Sequence, residues 1–161
     1  MAKGQRASVE IDHNVESDVG VPHIATAETG WRQWLPAIFW LAVIFFFSTS
    51  LFGAVDTGRI IVPILHFLLP GASPTTLGLL HMLIRKAAHF TNYGILFWLL
   101  IRGPLQGRPY VALAICVAYA FMDEGHQIFV PGRTASFYDV AIDSSGALFS
   151  RFLNAAVFDP A

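Results

Sequence analysis

The chain has 161 residues, 55% of them hydrophobic and only 13% charged, with a formal net charge of −1. Soluble domains carry about 25% charged residues, and with a mean hydropathy of +0.56 the Phe, Leu and Ile content excludes an ordinary soluble fold of this size; a bilayer can solvate such side chains. The near-neutral balance leaves no basic field for a nucleic-acid partner.

Residues 1–30 are polar and slightly acidic, with Glu10, Asp12, Glu16 and Asp18 and no apolar stripe. Such a segment cannot bury enough surface to offset its ordering entropy, so a flexible tail is expected. His13 and His23 lie in it without carboxylates at metal spacing. The apolar run begins only near Trp34, too far along for a cleavable leader, so the first helix is expected to stay as an anchor.

The first span is expected from Trp34 to Phe52, free of charge and close to the ~20 residues that cross a hydrocarbon core. Trp31 and Arg32 suit its interface. Its Ser48-Thr49-Ser50 end suits hydroxyl bonding to helix carbonyls or a water-filled vestibule.

Between Gly53 and Ser73, the apolar run Ile60–Leu69 is interrupted by Pro63 and is short for a span. An interfacial or re-entrant piece is expected there, with Asp56 and Arg59 in a solvated loop. Ser73-Pro74 reads as an N-cap followed by proline in the first turn. A helix from Pro74 to Ile101 would be about 42 Å long, so His81, Arg85 and Lys86 are expected at or above one interface; His66 is read the same way. Gly103-Pro104 and Gly107-Arg108-Pro109 form a turn.

A third span follows from Tyr110 to Val130. Cys116 in it has no partner for a disulfide and reads as a packing residue. After Pro131-Gly132-Arg133, a fourth helix is expected from Ser136 to Leu153. Ala141–Ser145 and Gly146–Ser150 are small pairs at i,i+4 that permit close helix approach, placing this helix among the others rather than against lipid. The expectation is an all-α integral membrane bundle of about four transmembrane helices, with residues 31–154 as its domain and 155–161 as a second tail.

Basic residues set orientation. With the N-terminus inside, Lys3, Arg6, Arg32, Arg102, Arg108 and Arg151 face the cytoplasm, and Arg59, Arg85, Lys86 and Arg133 the outside. A multi-pass protein of the bacterial cytoplasmic membrane is expected.

Ionisable groups at a helix centre cost roughly 2.5–3.5 kcal/mol each on insertion scales, yet several collect at one end of this bundle. Lys86, His89 and Tyr93 share one helix face. Tyr119, Asp123 and Gln127 share another, and Asp139 and Asp143 a third. Lipid is the costliest place to point such stripes, so they are expected to face one another beside Glu124 and Arg133. His126 lies off the Asp123 and Gln127 face.

These residues carry a resemblance. Arg85-Lys86-Ala87-Ala88-His89-Phe90-Thr91-Asn92-Tyr93 is similar to the K-x-x-H-F-x-x-Y motif of the VanZ-like family. Asp123-Glu124-Gly125-His126-Gln127, with Phe129, Pro131, Gly132 and Arg133, resembles its D-E-x-x-Q-x-F-x-P-x-R element. Asp139-Val140, Asp143 and Gly146 resemble its closing D-V-x-x-N/D-x-x-G, and Phe47-Ser48-Thr49-Ser50 its start. The likeness runs from about Trp34 to Leu153. Asp143 stands where the family often has Asn, and Ser150 where a second glycine is common. The resemblance implies a membrane protein of the cell envelope in a family with members linked to teicoplanin (glycopeptide antibiotic) resistance. It supplies no reaction.

Three readings of the cluster stand side by side. In the first, an enzyme acts on a lipid-linked or anionic envelope substrate near the outer face. Glu124 or Asp123 is its general base, His89 moves a proton, and Lys86 and Arg133 hold an anionic headgroup, with Gln127, Tyr93, Asp139 and Asp143 lining the site. In the second, the same groups make a non-catalytic binder or protective factor linked to glycopeptide tolerance. In the third they only fix packing, Asp123 or Glu124 pairing with Lys86 and Arg133, and Asp139 with His89. In a variant of the first reading, Asp123 or Glu124 works with His89 or His126 to bind a divalent metal. It is the less favoured version, because no single helix carries a His pair at i,i+4, so no metal ligand is assigned, and the sequence leaves the cofactor open.

Overall fold

In the computed structural model the described residues are 30–131, 133 and 135–158. The tail expectation for residues 1–30 falls, but for Gly30, outside them. Among the described residues the chain is all-helical, with five α-helices: α1 (Leu35–Ser48), α2 (Ala54–Leu68), α3 (Pro74–Arg102), α4 (Pro109–Gln127) and α5 (Phe137–Phe158).

The first run does not continue as one helix to Phe52. Thr49 adopts an extended conformation, its hydroxyl bonds the Phe46 carbonyl at 2.7 Å, and a 3₁₀ turn, Ser50–Phe52, follows. α2 then starts at Ala54, well before the apolar run, and absorbs Pro63 in its interior. Asp56 and Arg59 therefore lie on its first turns as an exposed ion pair at 3.2 Å, not in a loop. The stretch Ser50–Leu68 is the one helical segment among the described residues that is long and apolar enough to cross a membrane. The expectation of a piece too short to span had counted only Ile60–Leu69.

α3 begins as expected: the Ser73 hydroxyl accepts the Thr76 N–H at 3.1 Å, and Pro74 fills the first turn. At its far end Gly103 is required by crowding, because a Cβ there would lie 2.7 Å from the Gln33 carbonyl. Gly107 turns the chain into α4 with φ +72°, a region costly for side chains.

The core is built from α1, α3, α4 and α5. Tyr93, Leu96, Phe97 and Leu100 of α3 are buried against Ala37 and Ile44 of α1, Ala112, Cys116 and Ala120 of α4, and Ala147 of α5. The small residues of α4 recur every four positions, which lets its neighbours approach. α3 and α5 come closest: a Cβ at Gly146 would run into the Phe90 carbonyl, and one at Gly94 would lie 3.3 Å from the Gly146 carbonyl. Of the two small pairs on α5, Gly146–Ser150 meets α3, whereas Ala141 and Ser145 are exposed. α5 also exposes Leu148, Phe149 and Phe152, so it has an outward apolar face as well as a packed one. It also continues through residues 155–158, which composition alone assigns to a tail.

Two polar ties hold the middle of α1. Trp40 Nε1 donates to the Asn92 carbonyl at 2.9 Å, and the Tyr119 hydroxyl donates to the Leu41 carbonyl at 2.8 Å.

Candidate functional site

The spacing of the three polar stripes makes them local properties of α3, α4 and α5, and helix packing brings them together. Lys86 pairs with Asp139, and its ammonium lies 5.7 Å from the Tyr138 ring centroid. His89 Nδ1 lies 3.3 Å from Asp143 Oδ1, and Asp143 is fully buried. Gln127 Nε2 donates to Asp123 Oδ2 at 3.2 Å. Tyr93 is fully buried, its hydroxyl without a hydrogen-bond partner among the described residues.

The ion pairs differ from the packing network expected above. Asp139 meets Lys86 rather than His89, and Arg133 pairs with no carboxylate among the described residues. Arg133 Nη2 instead donates to the carbonyls of Phe47 (2.5 Å) and Thr49 (3.1 Å), clasping the end of α1. There it complements the negative end of a helix dipole. Burial, and the nearby Arg85, press the Arg133 pKa below its usual value, but guanidinium starts so high that it stays charged.

Glu124 is nearly buried. One carboxylate oxygen accepts the Ser136 N–H at 2.8 Å, holding the start of α5, and the residue borders an apolar cavity with Phe121, Ile128 and Phe137. It does not line the chamber described next. His126 stacks near Phe45, ring centroids 4.8 Å apart. His81 is buried and bonds Thr57 at 3.0 Å, tying α2 to α3 rather than sitting free at an interface.

The cluster opens into a polar chamber of about 220 Å³ lined by Arg85, Lys86, His89, Gln127, Arg133 and Asp139. Its three arginine and lysine side chains outnumber the one carboxylate in its wall. Beside it runs an apolar groove of about 340 Å³, walled by Ile44, Phe47, Phe52, Ile61 and Ile84. Arg85, His89 and Arg133 border both spaces. The carboxylates of Asp123 and Asp143 lie buried behind this cationic wall.

Two contributors stand in the runs quoted above without a site role assigned to them. Arg85 precedes His89 by one helical turn and so shares its face, but position near an interface masks it; it makes no ion pair among the described residues. Ser48 is buried, its hydroxyl lies near Asp123, and no hydrogen bond of good geometry satisfies it. The hydroxyl that bonds a helix carbonyl is that of Thr49.

An all-helical chain with an apolar exterior and an inward polar cluster on three helices defines the class. The match of the VanZ/LLP1 family model to residues 33–156 then shows that the chain belongs to that family. Neither the comparison with curated proteins nor that with solved structures yields a match.

Proposed function

We propose that the chain is a multi-pass protein of the bacterial cytoplasmic membrane, N-terminus inside, whose chamber near the outer face receives a lipid-linked or otherwise anionic envelope substrate. In this reading α1, α3, α4 and α5 cross the bilayer within a domain of residues 31–154. Arg133 ties the α4–α5 turn to the end of α1, while Gly103 packs on Gln33 at the opposite end. That supports α1 and α4 running in one direction and α3 and α5 in the other. α2 has α3 as its helix partner, through Thr57 and His81, so it pairs with the turns of α3 before Arg85 rather than lying along the bundle. Its exposed apolar side chains then suit an interfacial or re-entrant seat.

The observation that carries the substrate reading is Arg85, a guanidinium with no ion-pair partner among the described residues, on the rim shared by a cationic chamber and an apolar groove. An anionic headgroup fits the first and a hydrocarbon tail the second. His89 is the titratable group on that rim placed to exchange a proton with the headgroup. The placement of Glu124, bonded to Ser136 and outside the chamber, favours the second reading: a binder that sequesters its ligand, of which a glycopeptide-tolerance phenotype would be one consequence.

The test uses detergent-solubilised protein and two amphiphiles of equal chain length, dodecyl phosphate and dodecanol. Dodecyl phosphate is expected to raise the unfolding temperature of the wild type, and Arg85→Gln to lose most of that rise at unchanged basal stability. Equal stabilisation by dodecanol, or an undiminished response in Arg85→Gln, overturns the reading. Envelope-lipid profiles of cells expressing wild type or His89→Gln then separate turnover, which consumes a species, from binding, which does not.

A further inference from the structure

The geometry points to a divalent-cation site formed by His89, Asp123 and Asp143, one donor from each of α3, α4 and α5. Their ligand atoms lie within 4.8 Å of one another. Donors on one zinc-sized ion, bonded at about 2.0–2.2 Å, are roughly 3–4.4 Å apart, so a shift of the side chains by about an ångström closes the three on an ion. The spacing of histidines within one helix disfavours a metal and allows at most an α4 carboxylate with His89 or His126; here Asp143 of α5 joins Asp123 and His89, and no helix supplies more than one donor.

Two further observations point to a missing ligand. Asp123 and Asp143 are 3% and 0% exposed, yet Asp123 Oδ1 and Asp143 Oδ2 have no hydrogen-bond partner among the described residues. Buried carboxylates are normally paired, hydrogen-bonded or metal-bound. Among the described residues no lysine or arginine pairs directly with either of them. Lys86 pairs with Asp139, Arg133 bonds the carbonyls of Phe47 and Thr49 and acts on Asp123 only through space, and Gln127 offers Asp123 a neutral donor. A protonated His89 offsets one carboxylate and leaves the other. A dication offsets both and leaves His89 neutral, the form that ligates.

One imidazole and two carboxylates favour zinc or manganese over magnesium, which keeps its water and prefers all-oxygen shells. The unpartnered hydroxyls of Ser48 and Tyr93 border the same carboxylates and are placed to hydrogen-bond a water on the ion. The ion would lie behind the cationic chamber, within reach of a headgroup, but its binding does not depend on the substrate reading.

The experiment strips the full chain in detergent with a chelator, re-equilibrates it with zinc or manganese, removes free metal and measures bound metal by mass spectrometry alongside the unfolding temperature. The wild type is expected to retain one ion per chain and to unfold at a higher temperature with it. His89→Gln and Asp123→Asn are expected to weaken affinity by more than about tenfold, the scale on which even outer-shell partners act. His81→Gln and His126→Gln, which remove other histidines, are expected to keep the ion. Should a carboxylate variant fail to fold, His89→Gln alone decides, because His89 is partly exposed. A folded wild type that retains no ion, or retention unchanged in His89→Gln, overturns the site. Dodecyl phosphate binding by the stripped protein is read separately, so failure of one proposal is not failure of the other.

Discussion

Along the α3–α5 contact, backbone meets backbone: Gly146 leaves no room for a Cβ beside Phe90, and Asp143 and Ala147 are fully buried. α2 buries none of its residues, and Ile60, Ile64, Phe67 and Leu68 stand outward. The first region holds the polar groups whose geometry must be kept, and the second supplies one wall of the chamber and groove through Ala54, Thr57 and Ile61. Hydrophobicity alone does not separate them. Within a bilayer the lipid tails are as apolar as leucine, so close packing and interhelical hydrogen bonds must distinguish a scaffold from a lipid-facing arm.

That contrast can be broken most severely at Gly146. Gly146→Ala forces α3 and α5 apart against a backbone carbonyl, where no side chain can rotate away, and is expected to cost about 3 kcal/mol or more, read as lost folded yield and a lowered unfolding temperature in detergent. Tyr119→Phe tests the scaffold more gently. It removes the bond to the Leu41 carbonyl and should lower stability by about 1 kcal/mol, with the polar chamber intact as judged by the dodecyl phosphate response. The smallest effect belongs to the arm: Phe67→Ser lies on an exposed face and should change stability in detergent by less than about 0.5 kcal/mol. If Phe67→Ser unfolds the protein, or Gly146→Ala does not, the two regions do not differ as described.

Much of the architecture was legible because it is local. Ser73-Pro74 marks the start of α3 through a capping hydroxyl and a missing N–H, and the stripes Lys86/His89/Tyr93 and Asp139/Asp143 follow from helical spacing alone. What was not legible is pairwise. Which carboxylate meets Lys86 depends on how far one helix slides along another, and at about 1.5 Å per residue a small offset exchanges Asp139 for a neighbour. Arg133 could not be assigned to the α1 carbonyls, because backbone acceptors leave no trace in residue identity. α2 was misjudged at its N-terminal end, where Ala54–Arg59 lacks an apolar run but continues the helix. Of the proposed donor triad, the sequence suggests only a carboxylate of α4 with a histidine; Asp143 is added by tertiary packing, which no single-helix spacing rule reads.

Cys116, the one cysteine of the chain, is fully buried on α4 between Ala112 and Ala120. A thiol reacts as its thiolate and needs access, so the natural chain is already a nearly silent background for maleimide labelling. Reporter cysteines can be introduced one at a time without first deleting a core residue. Gly71, where an added Cβ meets nothing within 4 Å, offers a place in the α2–α3 connection, and exposed Gln106 one in the α3–α4 connection. The sidedness of the whole bundle is thereby open to direct chemical mapping in intact cells.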